Sequence, residues 1–326
     1  MANTVFVTGG SGYIGRNLIR RLVRDGHRVV ALARSPASAA KLESLGAHTV
    51  GGDILNPESL AKGMAGCDRL VHAAADTGHG AFEAGQHHTN LAGTRNVFTA
   101  ARTAGIGRAV HVSTEAVLLD GQPLVMADET APIPTRHAGS YSASKAAAER
   151  AAIDLNSPQC PVVAVRPRFV WGRDDTTALP QLAAAARSGK LVWIGGGRYL
   201  TSTAHIDNVV EGIVLALEKG RGGEAYFITD GAPVEFRGFV SQLLEHAGIA
   251  PPEKTVPRSV VAALARVGDL LARLSRGRFH PPIGGQEYGT VGVEVTLSTA
   301  KAERELGYRP VITREAGIET VETFPA

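Results

Sequence analysis

The chain has 326 residues and is short of several features that would set its class outright. It has two cysteines, Cys67 and Cys160, without the spacing of a metal cluster or a redox pair. That excludes a disulfide scaffold, gives no reason to expect a metal, and predicts buried structural thiols in a cytosolic protein. No run of about 18 uncharged apolar residues occurs, so no spanning helix is expected. The first residues pass straight into a strand, which predicts no signal peptide and a cytoplasmic location. The net charge of +3 is too small to suggest the clustered basic face of a nucleic-acid binder. Internal repeats and low-complexity tracts are lacking as well. What is present, 44% apolar and 20% charged residues, is ordinary for a globular chain long enough for one large domain or two smaller ones.

The first half alternates apolar strands with helices. "TVFVTG", "HRVVALAR", "AHTVGGD", "CDRLVHAAA", "RAVHVST" and "PVVAVRP" read as six strands. Tyr13 to Asp25, Pro36 to Leu45, the segment opened by Pro57, Thr89 to Ala104 and Tyr141 to Leu155 read as the intervening helices. Such alternation predicts an α/β fold, a doubly wound parallel sheet covered on both faces. The second half is less regular. "LVWIGGGRYLTSTAHI" suggests a hairpin turned by Gly195, Gly196 and Gly197, and "EAYFITD" a seventh strand returning to the main sheet. Thr176 to Ser188, Asp207 to Leu217, Phe236 to Ala247, Arg258 to Leu274 and Thr299 to Leu306 read as helices. The expected division falls near Arg168. Residues 1–167, with 203–229 returning, form the nucleotide-binding domain, and 168–202 with 230–326 form a smaller mixed α/β substrate domain.

In "VFVTGGSGYIG", Gly9, Gly12 and Gly15 have the spacing G-x-x-G-x-x-G between a strand and a helix. The first permits the tight turn, the second lets backbone approach a pyrophosphate, and the third lets helix and strand pack closely. The phosphates then meet the positive end of the helix. Gly9, Gly12, Tyr13, Ile14 and Gly15 are therefore candidate cofactor contacts. At the end of the second strand "ALARS" offers Arg34 and Ser35 where an acid would accept from a ribose 2′-OH. A guanidinium suits a 2′-phosphate, and Lys41 adds charge. This favours NADP(H), with NAD the alternative. Asp53, followed by Ile54, is placed for the adenine amino group; its other reading is a cap for the helix opened by Pro57. Ala73, Ala74 and Ala75 are small enough to let the chain pass under a cofactor.

Tyr141 and Lys145 form Y-x-x-x-K and share one helix face. An ammonium near a phenol lowers the phenol's pKa, which would let Tyr141 exchange a proton with an alcohol or carbonyl. Together "TGGSGYIG", "HAAA", "HVSTEAV", "YSASK", "RPRFVWG" and "HIDNVVEGI" resemble the extended short-chain dehydrogenases/reductases across essentially the whole chain. The resemblance implies a Rossmann domain of about seven strands and a C-terminal substrate domain. It also implies Tyr141 as general acid/base, Lys145 as its tuning and ribose-holding partner, and Thr114 as the hydroxyl at the substrate oxygen, with Ser113 if the register slips. Asn90 matches a structural or relay asparagine. Pro167 and Val170 match the segment beside the nicotinamide, and Trp171 stands where many relatives carry Tyr. His205 and Asp207 read as a capping and docking pair. A homodimer is a further implication.

"MADETAPIP" and "VTLSTAKAERELGYRP" most resemble the 3β-hydroxysteroid dehydrogenase-like and dihydroflavonol reductase-like branch. That implies an NADP(H)-dependent interconversion of a secondary alcohol and a ketone or aldehyde on a bulky hydrophobic substrate, sterol-like. The alternatives are a nucleotide-sugar epimerase or dehydratase with tightly held NAD, and a non-catalytic NADP sensor. The cations Arg168, Arg173, Arg187 and Arg198 form no clear diphosphate clamp. The helix "SVVAALARVGDLLARL" carries Val260, Leu264, Val267, Leu271 and Leu274 in one stripe with Arg266 and Arg273 off it. It is expected to pack on its own domain, the alternatives being a pocket wall or peripheral membrane contact. His79, His87 and His88 read as loop surface, without the acidic or thiolate partners a metal needs.

Overall fold

The computed structural model describes residues 2–77, 84–275, 278–279, 281 and 283–323; His79 lies outside them. Seven parallel strands form the main sheet, in the order Ala225–Ile228, Val162–Pro167, Arg108–Val112, Arg69–His72, Thr4–Thr8, Arg28–Ala33, His48–Gly51. The chain starts in the interior of this sheet, builds outward to one side, and then crosses to build the other. The switch point therefore lies between Thr4–Thr8 and Arg69–His72, where α/β sheets bind ligands beyond their strand ends.

Each strand feeds two layers with alternate residues. Val5 and Val7 join Leu18, Ile19 and Leu22 of the helix Tyr13–Arg24 and Val209 and Ile213 of the helix Ile206–Lys219. Phe6 joins Leu60 and Met64 of Pro57–Met64 and Val97, Phe98 and Ala101 of Ala84–Thr103. The seventh strand returns as the sequence predicts, pairing parallel with Val162–Pro167. Ala302, Leu306 and Tyr308 are also buried in the first of these layers, so the helix Ala300–Leu306 packs with the nucleotide-side core. Cys67 and Cys160 are free and buried.

Three differences from the sequence expectation have physical causes. The helix expected from Thr89 starts at Ala84, because buried Gln86 donates to the Asp76 carbonyl (3.3 Å) and ties down its first turn. "LVWIGGGRYLTSTAHI" is not a hairpin. Trp193–Ile194 pairs in parallel with Thr255–Val256, while Leu200–Thr201 joins a separate four-stranded sheet with Val234–Glu235, Val295–Leu297 and Leu124–Ala127. Gly195, Gly196 and Gly197 all take positive φ (59°, 81° and 71°), which redirects the chain from one sheet to the other. Finally, the helix Arg258–Leu274 does not bury its aliphatic stripe; the buried residues are Val261, Ala265, Gly268 and Ala272.

Candidate active site

The glycine turn is built as its spacing predicts. Gly9 has φ +71°, and a Cβ there would come within 2.4 Å of the Ala74 nitrogen and 2.5 Å of the Ala73 carbonyl carbon. Ala73 and Ala74 thus close against the turn, and their amides donate to the Thr8 carbonyl (3.1 Å) and the Thr8 hydroxyl (3.4 Å). A Cβ on Gly15 would lie 2.2 Å from the Gly9 carbonyl oxygen, so only glycine lets helix and strand approach. Gly12 caps Tyr13–Arg24 without any side-chain cap, and a Cβ there would meet only the Gly9 oxygen, at 3.2 Å. An uncapped helix start with an open glycine before it is a fitting cradle for a dinucleotide pyrophosphate. Ile14 is half-buried and Tyr13 buried at this helix start.

Arg34 stands exposed just past Arg28–Ala33, with no ion-pair partner among the described residues. Ser35 caps the helix Pro36–Glu43, its hydroxyl accepting from the Ser38 amide, and Lys41 is exposed in that helix's last turn. Asp53 is not the cap of the next helix: Asn56 accepts from the Glu58 and Ser59 amides, while Asp53 accepts from Leu55 (2.8 Å) in the preceding turn. Ile54 is buried against Gly93. Ala75 is half-buried beyond the fourth strand.

The candidate catalytic residues meet beyond the strand Arg108–Val112. Thr114 caps a short 3-10 turn, Glu115–Leu118, by accepting from the Ala116 amide (3.2 Å), and donates to Glu115 Oε2 (2.8 Å). Its hydroxyl is also hydrogen-bonded to the Tyr141 phenol. Ser113 instead donates its amide to the Val165 carbonyl inside the sheet (2.8 Å), and its hydroxyl is buried without a partner among the described residues. Thr114, not Ser113, is therefore the hydroxyl at the Tyr141 phenol. Tyr141 and Lys145 lie on the helix Ser140–Ile153. Lys145 is buried and donates from Nζ to the Val112 carbonyl (2.9 Å). Burial lowers its pKa to about 8, against the upward pull of Glu149 one turn on. Glu149 is itself held by Arg166, 2.9 Å from Nε.

Tyr141 departs from expectation. Its pKa is raised, first by burial and then by the Glu115 carboxylate, with the Thr114 contact pulling the other way. Sharing a helix face with Lys145 is not enough, because the lysine stem carries its ammonium to Val112 while Glu115 is the charge that acts on the phenol.

Sequence reasoning missed Glu115. It forms a buried ion pair with Arg168 (2.7 Å), whose guanidinium also donates to Thr201 Oγ1 and the Thr290 carbonyl. Acid and base lie 53 residues apart, so the sequence offers only an acid beside Thr114 and an arginine after Pro167. Between that arginine and Val170, Phe169 sits at φ +43°, an uncommon conformation for a bulky residue. Pro167 is buried and Val170 half-buried on the next short strand, Val170–Trp171. Trp171 turns into the core and donates to Asp230 (2.8 Å). Asn90 is buried, with both amide ends engaged: it bonds the Asp76 backbone (2.7 and 3.0 Å) and the Ser144 hydroxyl (3.0 Å). It thereby fixes the loop after the fourth strand to the helix bearing Tyr141. His205 caps Ile206–Lys219 by accepting from the Asp207 amide, and Asp207 binds Arg173 (2.6 Å). His87 and His88 are exposed, as expected, but on the helix Ala84–Thr103 rather than in a loop, because that helix starts earlier than the sequence suggests.

Comparison with known proteins agrees with this geometry. Residues 6–258 match the family model described as the 3-beta hydroxysteroid dehydrogenase/isomerase family. The chain is 49% identical to a 4-hydroxy-2-methyl-3-oxo-4-farnesyl-3,4-dihydroquinoline-1-oxide ketoreductase of Stigmatella aurantiaca, over 97% of this chain and 95% of that one. It is 33% identical to a 2-alkyl-3-oxoalkanoate reductase of Stenotrophomonas maltophilia, over 99% of both. Among solved structures it resembles the dTDP-glucose 4,6-dehydratase DesIV of Streptomyces venezuelae with NAD bound, at TM-score 0.75 and 26% identity, covering 97% of this chain and 95% of that one. The chain belongs to the 3-beta hydroxysteroid dehydrogenase/isomerase family, and is an NAD(P)-dependent oxidoreductase of the extended short-chain dehydrogenase/reductase type acting on hydroxyl and keto groups.

Proposed function

We propose that the protein is an NADPH-dependent ketoreductase for a bulky hydrophobic ketone. The observation that carries this is the hydrogen bond between Thr114 and Tyr141 beyond the strand Arg108–Val112, with Lys145 donating to the Val112 carbonyl at that strand's end. A bound nicotinamide supplies the hydride that turns the carbonyl carbon into a carbinol. Tyr141 gives the proton to the carbonyl oxygen, and a phenol held protonated by burial and by Glu115 suits an acid better than a base. Thr114 holds that oxygen beside the phenol, its proton turning from Glu115 to the substrate. Lys145 holds the ribose, and solvent returns the proton to Tyr141. Gly9, Gly12, Tyr13, Ile14 and Gly15 hold the pyrophosphate, Asp53 and Ile54 flank the adenine, and Ala73, Ala74 and Ala75 pass beneath. Pro167 and Val170 present backbone to the carboxamide.

Arg34, exposed and unpaired among the described residues, supports the 2′-phosphate, and Lys41 adds charge. A hydrophobic substrate is supported by the farnesyl-bearing compound and the 2-alkyl-3-oxoalkanoate in the two relatives' names. The test is NADPH and NADH oxidation with long-chain and polycyclic ketones. Tyr141→Phe should lower turnover by about 10²–10⁴-fold while NADPH still binds. Arg34→Ala should weaken NADPH by roughly tenfold or more and leave NADH unchanged. Undiminished turnover overturns the acid, and equal losses for both nucleotides overturn the 2′-phosphate contact.

A further inference from the structure

Exposed large aliphatic side chains concentrate on one helix. On Arg258–Leu274, Val260 is 46% exposed, Leu264 56%, Val267 55%, Leu270 56%, Leu271 44% and Leu274 73%. Val260, Leu264, Val267, Leu271 and Leu274 recur at helical spacing and form one continuous stripe. The residues facing the protein are Val261, Ala265, Gly268 and Ala272. This seat is close: a Cβ on Gly268 would lie 2.6 Å from the Pro281 ring. Small residues point inward and large ones outward, the reverse of a helix that serves its own core.

Charge says what the stripe meets. Arg266 and Arg273 are exposed along one flank, Arg258 at the start, Lys254 just before it and Arg278 beyond the end. The helix's one acid, Asp269, is half-buried, and both its oxygens accept from the Gly285 amide (3.3 and 3.1 Å). The fully exposed charges on this helix, Arg258, Arg266 and Arg273, are therefore all positive, and Glu253, before its start, is balanced by Lys254. An aliphatic stripe flanked by arginines is the composition of a helix that lies in the plane of an anionic bilayer. A second copy fits less well, because two-fold pairing of the stripe would bring the same arginine-rich surface against itself.

We propose that the helix Arg258–Leu274 docks the protein on anionic membrane surfaces, its stripe entering the boundary between headgroups and acyl chains and its arginines meeting lipid phosphates. The docking face is joined to the catalytic helix. Asp269 holds Gly285, and the next residue, Gln286, accepts from the Ser142 amide (3.1 Å) beside Tyr141. A lipid-soluble ketone would thus be met on the side of the molecule that carries the site. The docking itself does not rest on that substrate, and its test reads binding without turnover.

The full chain is floated with vesicles of phosphatidylcholine plus phosphatidylglycerol, and with vesicles of phosphatidylcholine alone. The wild type should partition onto the anionic vesicles, less strongly as salt rises. The double variant Leu264→Ser/Leu271→Ser should bind on the order of 100-fold more weakly. Arg266→Gln/Arg273→Gln should bind roughly 30-fold more weakly, and its outward-facing positions keep the test usable if the leucine variant fails to fold. Failure of the wild type to float with anionic vesicles overturns the proposal, as does unchanged binding by both variants. A wild-type dimer that becomes monomeric in the leucine variant, without vesicle binding by either, also overturns it and assigns the stripe to a second copy.

Discussion

The helices Tyr13–Arg24 and Arg258–Leu274 each carry an aliphatic stripe beside arginines, yet they are oriented oppositely. In the first, Leu18, Ile19 and Leu22 are buried under the main sheet, and three of its four arginines are used in the fold. Arg21 binds Glu211 (2.6 Å), Arg16 donates to the Asp174 carbonyl (2.9 Å), and Arg20 pairs with the Asp174 carboxylate. In the second, the stripe faces out and Arg266 and Arg273 are exposed. Periodicity establishes that a helix has an apolar face; it does not say what covers that face. In the nucleotide-side half a parallel sheet covers it, whereas the second helix already fills its own seat with small residues.

The largest expected effect lies where the two regions join. Arg168 links Glu115, beyond a main-sheet strand, to Thr201 and Thr290 of the C-terminal part. Arg168→Met would leave the Glu115 carboxylate buried and uncompensated, at a cost of about 3–5 kcal/mol. Adding Glu115→Leu should recover most of that loss, since an apolar pair can replace a buried ion pair. Denaturant titration of the single and double variants measures both, and a double variant no better than the single would remove the ion pair as the cause. The two helices themselves give the next contrast. Leu18→Ala should cost about 2–5 kcal/mol by opening a core cavity, whereas Leu264→Ala should stay within about 0.5 kcal/mol. Equal losses would mean that the outward stripe is covered in the folded protein.

The nucleotide-side half was legible because its constraints are local. Gly9 and Gly15 each answer to contacts that follow from one strand–turn–helix unit, and Val5, Phe6 and Val7 sort by simple alternation. Of the proposed site, Thr114, Tyr141 and Lys145 were legible because they adjoin readable motifs. Their electrostatics were not. Lys145 acts on His72 and His111 rather than on Tyr141, and Glu115 owes its burial to an arginine far along the chain. The false hairpin fails for the same reason: the partners of Trp193–Ile194 and Leu200–Thr201 lie at Thr255 and at Val234 and Val295, which no local pattern announces.

The smallest of these effects would separate the two regions by pH. His72 and His111 are lateral neighbours on adjacent main-sheet strands, both buried, with ring centroids 5.4 Å apart. His72 bridges the Thr8 and Thr94 hydroxyls (2.6 and 3.0 Å), while neither ring nitrogen of His111 has a partner among the described residues. Burial, and then the nearby Lys145, lower both pKa values, that of His72 to about 3. Both rings are therefore neutral in the folded protein at pH 7. The unfolded chain gains their protons as pH falls through about 6.5, and the folded chain refuses them. Stability is full above that pH and declines below it, until His72 itself protonates near about 3. At pH 5 the His72 contribution to that loss is about 2 kcal/mol, with His111 acting in the same direction. His111→Leu removes one proton demand together with two unpaired nitrogens, so its stability relative to the wild type should improve more at pH 5 than at pH 8. Urea midpoints for the two proteins at both pH values decide it. A variant whose advantage is the same at both would remove His111 as a source of the acid sensitivity.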